Sequence, residues 1–239
     1  MVTVRRENMI ETFKRREEKY LLNKWQYEEL LDNINSYIVK DKYFESNICN
    51  IYFDTDNYEL IRTSIEKPLY KEKVRLRSYG IPNMDDSVFL EVKKKFKGVG
   101  NKRRITLKLR EFNDYYLYHK VPNVNMQIFK EIDYIMKSKN LKPVLFLAYN
   151  RLSYYAKDDR EFRLTFDKNL RFRKLDLDLS LGDCGKMYFQ DNTYILEIKT
   201  LGSIPMWLVE VLSNLKIYPT SFSKYGSIYQ NYLREEKLC

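Results

Sequence analysis

The 239-residue chain has one histidine, three cysteines and seven glycines, and each scarcity removes a class of chemistry. With His119 alone, any Ser–His or Cys–His nucleophilic pairing would hang on the placement of a single residue, and histidine-rich metal sites are excluded. His119 sits in a tyrosine-rich stretch, Tyr115 to Lys120, and reads as a surface loop or helix residue. Cys49, Cys184 and Cys239 are too few and too scattered for a disulfide framework or a zinc site. The sparse glycines supply no phosphate-cradling loop, since Gly98-Val99-Gly100 lies in a Lys/Arg run without P-loop spacing. No apolar run reaches the ~18–20 residues of a spanning helix. Pro143 to Tyr149 and Pro205 to Leu212 are the longest candidates, and Glu210 interrupts the second. Met1 to Lys19 is charged throughout and carries no signal-peptide core. These absences together predict a reduced, soluble, cytoplasmic protein.

Positive charge, by contrast, is abundant. Lys+Arg number 43 against 33 Asp+Glu, a formal net charge of +10, which calls for an anionic partner. Nucleic acid, phospholipid headgroups and small polyphosphates all satisfy that requirement. A hydrophobic fraction of 44% is enough for a sizeable core. No composition shift, hinge or repeat divides the chain, so residues 1–239 read as one domain.

Amphipathic helices are predicted from about Lys24 to Ile38, after Asp56 with Leu60, Ile61 and Ile65 as its apolar face, and from about Asn125 to Lys137. Two more are predicted near Ser203, with Pro205 in the first turn, and over Tyr225 to Leu233. Asn23 followed by Gln26 resembles a capping box. Between these lie strand-like segments at 17–22, 48–53, 71–79, 87–96, 103–109, 149–155, 162–167, 187–190 and 194–200. The class is α+β: antiparallel strands with flanking amphipathic helices.

Side chains alternate between the faces of a strand. In Val74-Arg75-Leu76-Arg77 both arginines share one face, and Glu91, Lys93 and Lys95 share one face of the next strand. Arg163, Thr165 and Asp167 oppose Phe162, Leu164 and Phe166, while Glu197 and Lys199 oppose Leu196 and Ile198. Arg15, Glu17 and Lys19, and later Tyr149 and Arg151, repeat the spacing. An antiparallel sheet with one wet face also gives this alternation. Here, however, the polar positions are Arg/Lys clusters with isolated glutamates, and the opposite faces are strongly apolar. A sheet covered outside by helices and charged inside can close into a barrel with a cationic lumen. Such a lumen makes sense when filled by a compact polyanion and a divalent metal, with the lone carboxylates, Glu197 above all, as oxygen ligands.

With these residues in view, the sequence resembles the triphosphate tunnel metalloenzymes, and within them the bacterial relatives of the vacuolar transporter chaperone catalytic domain, the polyphosphate polymerases. The resemblance runs in order through Phe13 to Tyr20, Ile51-Tyr52-Phe53-Asp54-Thr55, Val74-Arg75-Leu76-Arg77 with Tyr79-Gly80, and Phe89-Leu90-Glu91-Val92-Lys93. It continues through Lys102-Arg103-Arg104, Tyr149-Asn150-Arg151, Arg163 to Asp167, Leu196-Glu197-Ile198-Lys199 and Phe222-Ser223-Lys224-Tyr225. The resemblance implies an eight-stranded antiparallel β-barrel, a tunnel that binds ATP by its triphosphate. It implies ATP-dependent transfer of the γ-phosphoryl group to polyphosphate with release of ADP, using Mn2+ or Mg2+. Carried over by position, Lys19, Arg75, Arg77, Lys93, Arg151, Arg163 and Lys224 would hold phosphates, assisted by Arg15, Tyr149, Lys199 and Ser221, with Glu197 and Glu91 toward the metal.

Three departures from the pattern bear on activity. Arg15 replaces the first carboxylate of the Glu-x-Glu-x-Lys opening found in the superfamily's triphosphatases, leaving Glu17 and Lys19, which favours a polymerase over a hydrolase. Ser221 stands where polymerase relatives often carry lysine. No spanning helix exists in the chain, so any coupling to membrane translocation would require an unidentified membrane partner. The competing readings are a tripolyphosphate or nucleoside triphosphate hydrolase on the same tunnel, and a non-catalytic polyphosphate or inositol-phosphate binding module. A nucleic-acid binder is disfavoured because most tyrosines fall at periodic core positions.

Overall fold

The computed structural model describes residues 16–97 and 99–234. Nine strands form one antiparallel sheet: β1 (Arg16–Leu22), β2 (Ile38–Asp54), β3 (Tyr70–Tyr79), β4 (Ser87–Phe96), β5 (Val99–Lys108), β6 (Lys142–Ala156), β7 (Asp159–Arg173), β8 (Lys186–Met187) and β9 (Tyr194–Thr200). Eight run in the order β1-β9-β7-β6-β2-β3-β4-β5, and the two-residue β8 pairs only with β7.

The predicted barrel is not closed by backbone pairing, because among the described residues β1 and β5 do not meet in a ladder. The reason lies at β1. One edge pairs with β9, while the other is occupied by the C-terminal segment, where Tyr20 bridges Pro219 and the Thr220 amide donates to the Lys19 carbonyl at 2.7 Å. The sheet nevertheless curls far enough for Lys93 on β4 to reach Glu17 on β1, Nζ to Oε2 3.4 Å.

Helices cover the convex face. Helices α3 (Leu109–Tyr118) and α4 (Met126–Ser138) lay Phe112, Phe129 and Ile132 over Ile51, Leu76, Leu90 and Ile105. On the other half, α1 (Lys24–Ile34) and α5 (Met206–Asn214) bury Leu30, Ile34, Leu208 and Leu212 against Leu164, Phe166, Leu196 and Ile198. Fully burying such a side chain stabilises by roughly 1.5–3 kcal/mol, so these layers hold the curl. A third cluster fills one end of the concave side, where Ile61 of α2 (Glu59–Ile65) and Tyr225 and Ile228 of α6 (Lys224–Ile228) meet Leu145, Leu147 and Phe172. Past α6 the chain widens into a π-helical turn, Tyr229–Leu233.

The Asn23–Gln26 capping box forms as predicted. Helix α1 ends at Ile34, however, short of the predicted Ile38, which already begins β2. Helix α3 was not expected from the sequence. His119 caps its C-terminus at φ 56°, exposed. Helix α2 takes its N-terminal cap from the sheet: the amides of Leu60 and Ile61 donate to the Asp54 carboxylate at 2.8 and 3.0 Å.

Candidate functional site

Strand alternation turns the charged residues of seven strands toward the concave side, and cross-strand register then decides which of them meet. Arg75 lies opposite Tyr52 on β2 and Glu91 on β4; its Nε donates to Glu91 Oε2 at 2.7 Å and its Nη1 to the Tyr52 hydroxyl at 3.2 Å. Arg77, opposite Asn50, donates from Nε to Asn50 Oδ1 at 2.9 Å and from Nη2 to the Tyr149 hydroxyl at 3.4 Å. Across the curl, Arg151 forks onto Asp167 at 2.6 and 2.8 Å, and Lys224 joins the same carboxylate at 2.6 Å. The Tyr149 ring packs beneath both cations, 4.6 Å from Lys224 Nζ and 5.3 Å from the Arg151 guanidinium carbon.

A second group gathers at β1 and β9. Lys19 lies 3.5 Å from Glu17 and 3.9 Å from Glu197, and its ammonium donates to the Phe222 carbonyl at 3.4 Å. Lys199 closes on the other Glu197 oxygen at 2.5 Å, and Lys93 on Glu17. Arg163 lies opposite Lys199 in register but is exposed and makes no ion pair with the described residues. Ser221 is exposed before α6. Arg15 lies outside the described residues.

Electrostatics follow from burial set against these pairings. Burial raises the Glu91 carboxyl, but Arg75, Arg77 and Lys102 outweigh it and hold it at about 2. For Glu197, burial is likewise overcome, by Lys199, Lys19, Arg151 and Lys224, and the carboxyl stays well below its usual range. Asp167, opposed by burial, is held low by Arg151 and Lys224. Lys73 shows the reverse: burial, together with Lys19, Lys71 and Lys93, depresses its ammonium to about 8. Tyr52 also falls to about 8, because Arg75 and Lys73 overcome the effect of burial.

Lys73, Tyr52, Asn50 and Lys102 belong to this site although the sequence reading did not single them out for it. Lys73 had a legible signal, since alternation through Arg77 and Arg75 continues back to it. Asp167 was placed on the charged face, but its role as a shared counter-ion shows only in three dimensions.

No cluster of three or more His, Cys, Asp or Glu residues stands ready for a metal among the described residues. Glu17 and Glu197, both against Lys19, offer two carboxylates. That number fits a hard divalent ion completed by water and phosphate oxygens. Glu91 sits differently. Its Oε2 is taken by Arg75, and its buried Oε1 lies 2.5 Å from Lys102 Nζ.

Residues 14–232 match the family model of the VTC domain. The chain belongs to the VTC domain family. Its fold is shared with solved structures of low sequence identity. A Bacillus halodurans structure, provisionally described as an adenylate cyclase, superposes with a TM-score of 0.54 at 16% identity, over 92% of this chain and 99% of that one. Two structures align less closely. One is a Hippeastrum candidate adenylyl cyclase with a dominant triphosphatase activity, at TM-score 0.49 and 14% identity over 90% and 94% of the two chains. The other is a Vibrio parahaemolyticus protein also provisionally described as an adenylate cyclase, at 0.47 and 10% over 90% and 97%. Among the described residues of this VTC domain, no helix is long and apolar enough to cross a membrane.

Proposed function

We propose that this VTC domain is an ATP-dependent polyphosphate polymerase, transferring the γ-phosphoryl group of ATP to a polyphosphate chain and releasing ADP. The observation that carries this reading is the state of the carboxylates. The four among the cations, Glu17, Glu91, Asp167 and Glu197, are each paired with lysine or arginine side chains, which lowers their pKa and makes each a poor base for activating water. The terminal oxygen of a polyphosphate acceptor is already an anion and needs no base. It attacks the γ-phosphorus, the bond from that phosphorus to the bridging oxygen of ADP breaks, and ADP leaves with the electron pair.

Phosphoryl transfer asks the protein chiefly for positioning and charge neutralisation. In this reading the forked donors of Arg75, Arg77 and Arg151 take phosphate oxygens in planar pairs, while Lys19, Lys93, Lys199 and Lys224 act as point charges. Arg163 and Ser221 would meet ligand at the rim, and Arg15, at the position matching the family's opening strand, would assist them. Tyr149 holds Arg151, Arg77 and Lys224 in place. Glu197 with Glu17 would hold Mn2+ or Mg2+, which supplies charge neutralisation for the transferring group. Glu91 serves as the counter-ion that fixes Arg75 and Arg77 in place.

The test is incubation with ATP and Mn2+, resolving products by gel and by phosphate assay. Polymer with ADP is expected; free orthophosphate without polymer would move the protein to the hydrolase reading. Glu197→Gln should lower turnover by about 10²–10³, the usual effect of losing one preorganised electrostatic group. Unchanged metal-dependent turnover would remove Glu197 from the site.

A further inference from the structure

Away from the concave side, apolar side chains gather at one end of the sheet, where the turn before β3 and the turn between β4 and β5 lie together. Register sets out a row of them: Tyr70 lies opposite Phe96, and Phe96 opposite Val99. Leu69 joins the row because the Lys97 amide donates to the Leu69 carbonyl at 2.8 Å and ties the two turns. Each turn pivots on a lysine in the left-handed region, Lys67 at φ 55° and Lys97 at φ 46°. All four apolar residues are exposed, Leu69 by 69% and Phe96 by 54%. Two residues farther along the strands, Glu72 and Lys94 are held by Lys139, just past α4, and by Glu131 within it, so the row lies beyond the cover of that helix. Single exposed apolar side chains are ordinary on a protein surface, whereas four gathered on two tied turns mark a docking surface.

The rim of this patch is basic. Lys67 and Lys97 sit in the turns, with the Lys97 ammonium 5.5 Å from the centre of the Phe96 ring. Lys71 and Lys95 lie one residue in from Tyr70 and Phe96, on the other face. The carboxylates at this end are engaged elsewhere, Glu72 by Tyr70 and Lys139, and Glu131 by Lys94 and Arg103, which leaves exposed Glu66 against four lysines. An apolar tip ringed by lysines is complementary to an anionic bilayer: its aliphatic side chains suit the acyl boundary, its rings the headgroup level and its ammoniums the headgroup charge. We propose that the tied turns carrying Lys67, Leu69, Tyr70, Phe96, Lys97 and Val99 dock this domain peripherally onto an anionic lipid bilayer. Single-stranded nucleic acid also takes lysines set among rings, but Leu69 and Val99 are aliphatic and give a base nothing to stack on. Docking of this kind is independent of the reaction on the concave side.

The experiment is flotation of the full chain with vesicles of equimolar phosphatidylcholine and phosphatidylglycerol, and with vesicles of phosphatidylcholine alone. Wild type should float with the anionic vesicles and stay behind with the neutral ones. L69S/F96S keeps every charge and should weaken binding by about ten-fold or more, because less hydrocarbon leaves water. Its melting temperature should stay within about 2 °C of wild type, as for other exposed substitutions. K67Q/K97Q should weaken binding by about 30-fold, roughly five-fold per lysine at an anionic surface. K157Q/K216Q, on the β6–β7 turn and after α5, makes the same change in net charge and should bind within about two-fold of wild type, since the attraction falls off within a Debye length. Equal flotation of wild type and L69S/F96S would show charge alone at work and overturn the tip, as would an equal loss in K157Q/K216Q or equal binding to neutral vesicles. So would a wild type that ignores both vesicles, whether it self-associates through these residues in sedimentation or binds a single-stranded oligonucleotide through them.

Discussion

Replacing Asp167 by Asn tests the electrostatic design of the tunnel at its most buried point. The carboxylate is 1% exposed and is the shared counter-ion of Arg151, bonded twice, and Lys224. The amide keeps the shape but removes the charge, leaving two cations facing each other in a partly desolvated space. Breaking a buried pair from one side costs about 3–5 kcal/mol. At about 2–4 °C per kcal/mol for a domain this long, melting should fall by about 6–20 °C. Urea denaturation and calorimetry at neutral pH measure the loss. Because the folded carboxyl titrates below its usual range, its contribution is complete above the ordinary carboxylate pKa and disappears as pH falls through the lowered value. Wild type and variant should therefore converge in acid. Saturating tripolyphosphate should also narrow the gap, since a phosphate can replace the lost counter-ion. A loss below about 1 kcal/mol, or a gap that neither acid nor tripolyphosphate changes, would refute the reasoning.

Two other outcomes follow from the same geometry. Lys73 and Tyr52, each shifted down to about 8 from 10.5 and 10.0, give up protons in the folded protein that the unfolded chain still holds. Unliganded stability should consequently rise with pH between about 8 and 10, and tripolyphosphate binding near pH 8.5 should take up protons, by calorimetry in buffers of different ionisation enthalpy. That uptake should shrink in Lys73→Met. Separately, Tyr225→Phe removes the hydroxyl that donates to Asp54 at 2.9 Å, beside the cap of α2; urea denaturation should show a loss of about 1.5–3 kcal/mol, as for a bond to a charged group.

The charged face was legible because period-two alternation is a local property. Arg75, Arg77, Arg151 and Glu197 could be placed on one side from neighbouring residues alone, and the structure brings all four to the concave side. What alternation cannot carry is register. Glu91 reads as an isolated acid in sequence, and only pairing with Arg75 on one side and Arg104 on the other sets it among cations. Closure is equally non-local, because it depends on Pro219 and Thr220 reaching the edge of β1 some two hundred residues away. Helix α3 was lost among aromatics: Phe112, Tyr115 and Tyr116 have β-forming side chains, yet their spacing from Leu109 is helical and they pack under α4. At the start of β2, Lys40 to Glu45 breaks the pairing register with β6, so no clean alternation marked the strand, and Ile38 was assigned to the preceding helix.

The gap between β1 and β5 gives the tunnel a mechanical character. In a sealed barrel the circumference is set by the backbone ladder, and widening the bore must tear hydrogen bonds along a whole strand. Among the described residues here, side chains such as Glu17 and Lys93 span that gap, both open enough to solvent for dissolved ions to weaken their attraction. If a polyanion occupies the concave side as proposed, the bore would relax at high ionic strength and tighten around that occupant while every strand pairing stays intact, a sprung collar whose tension the ligand would supply.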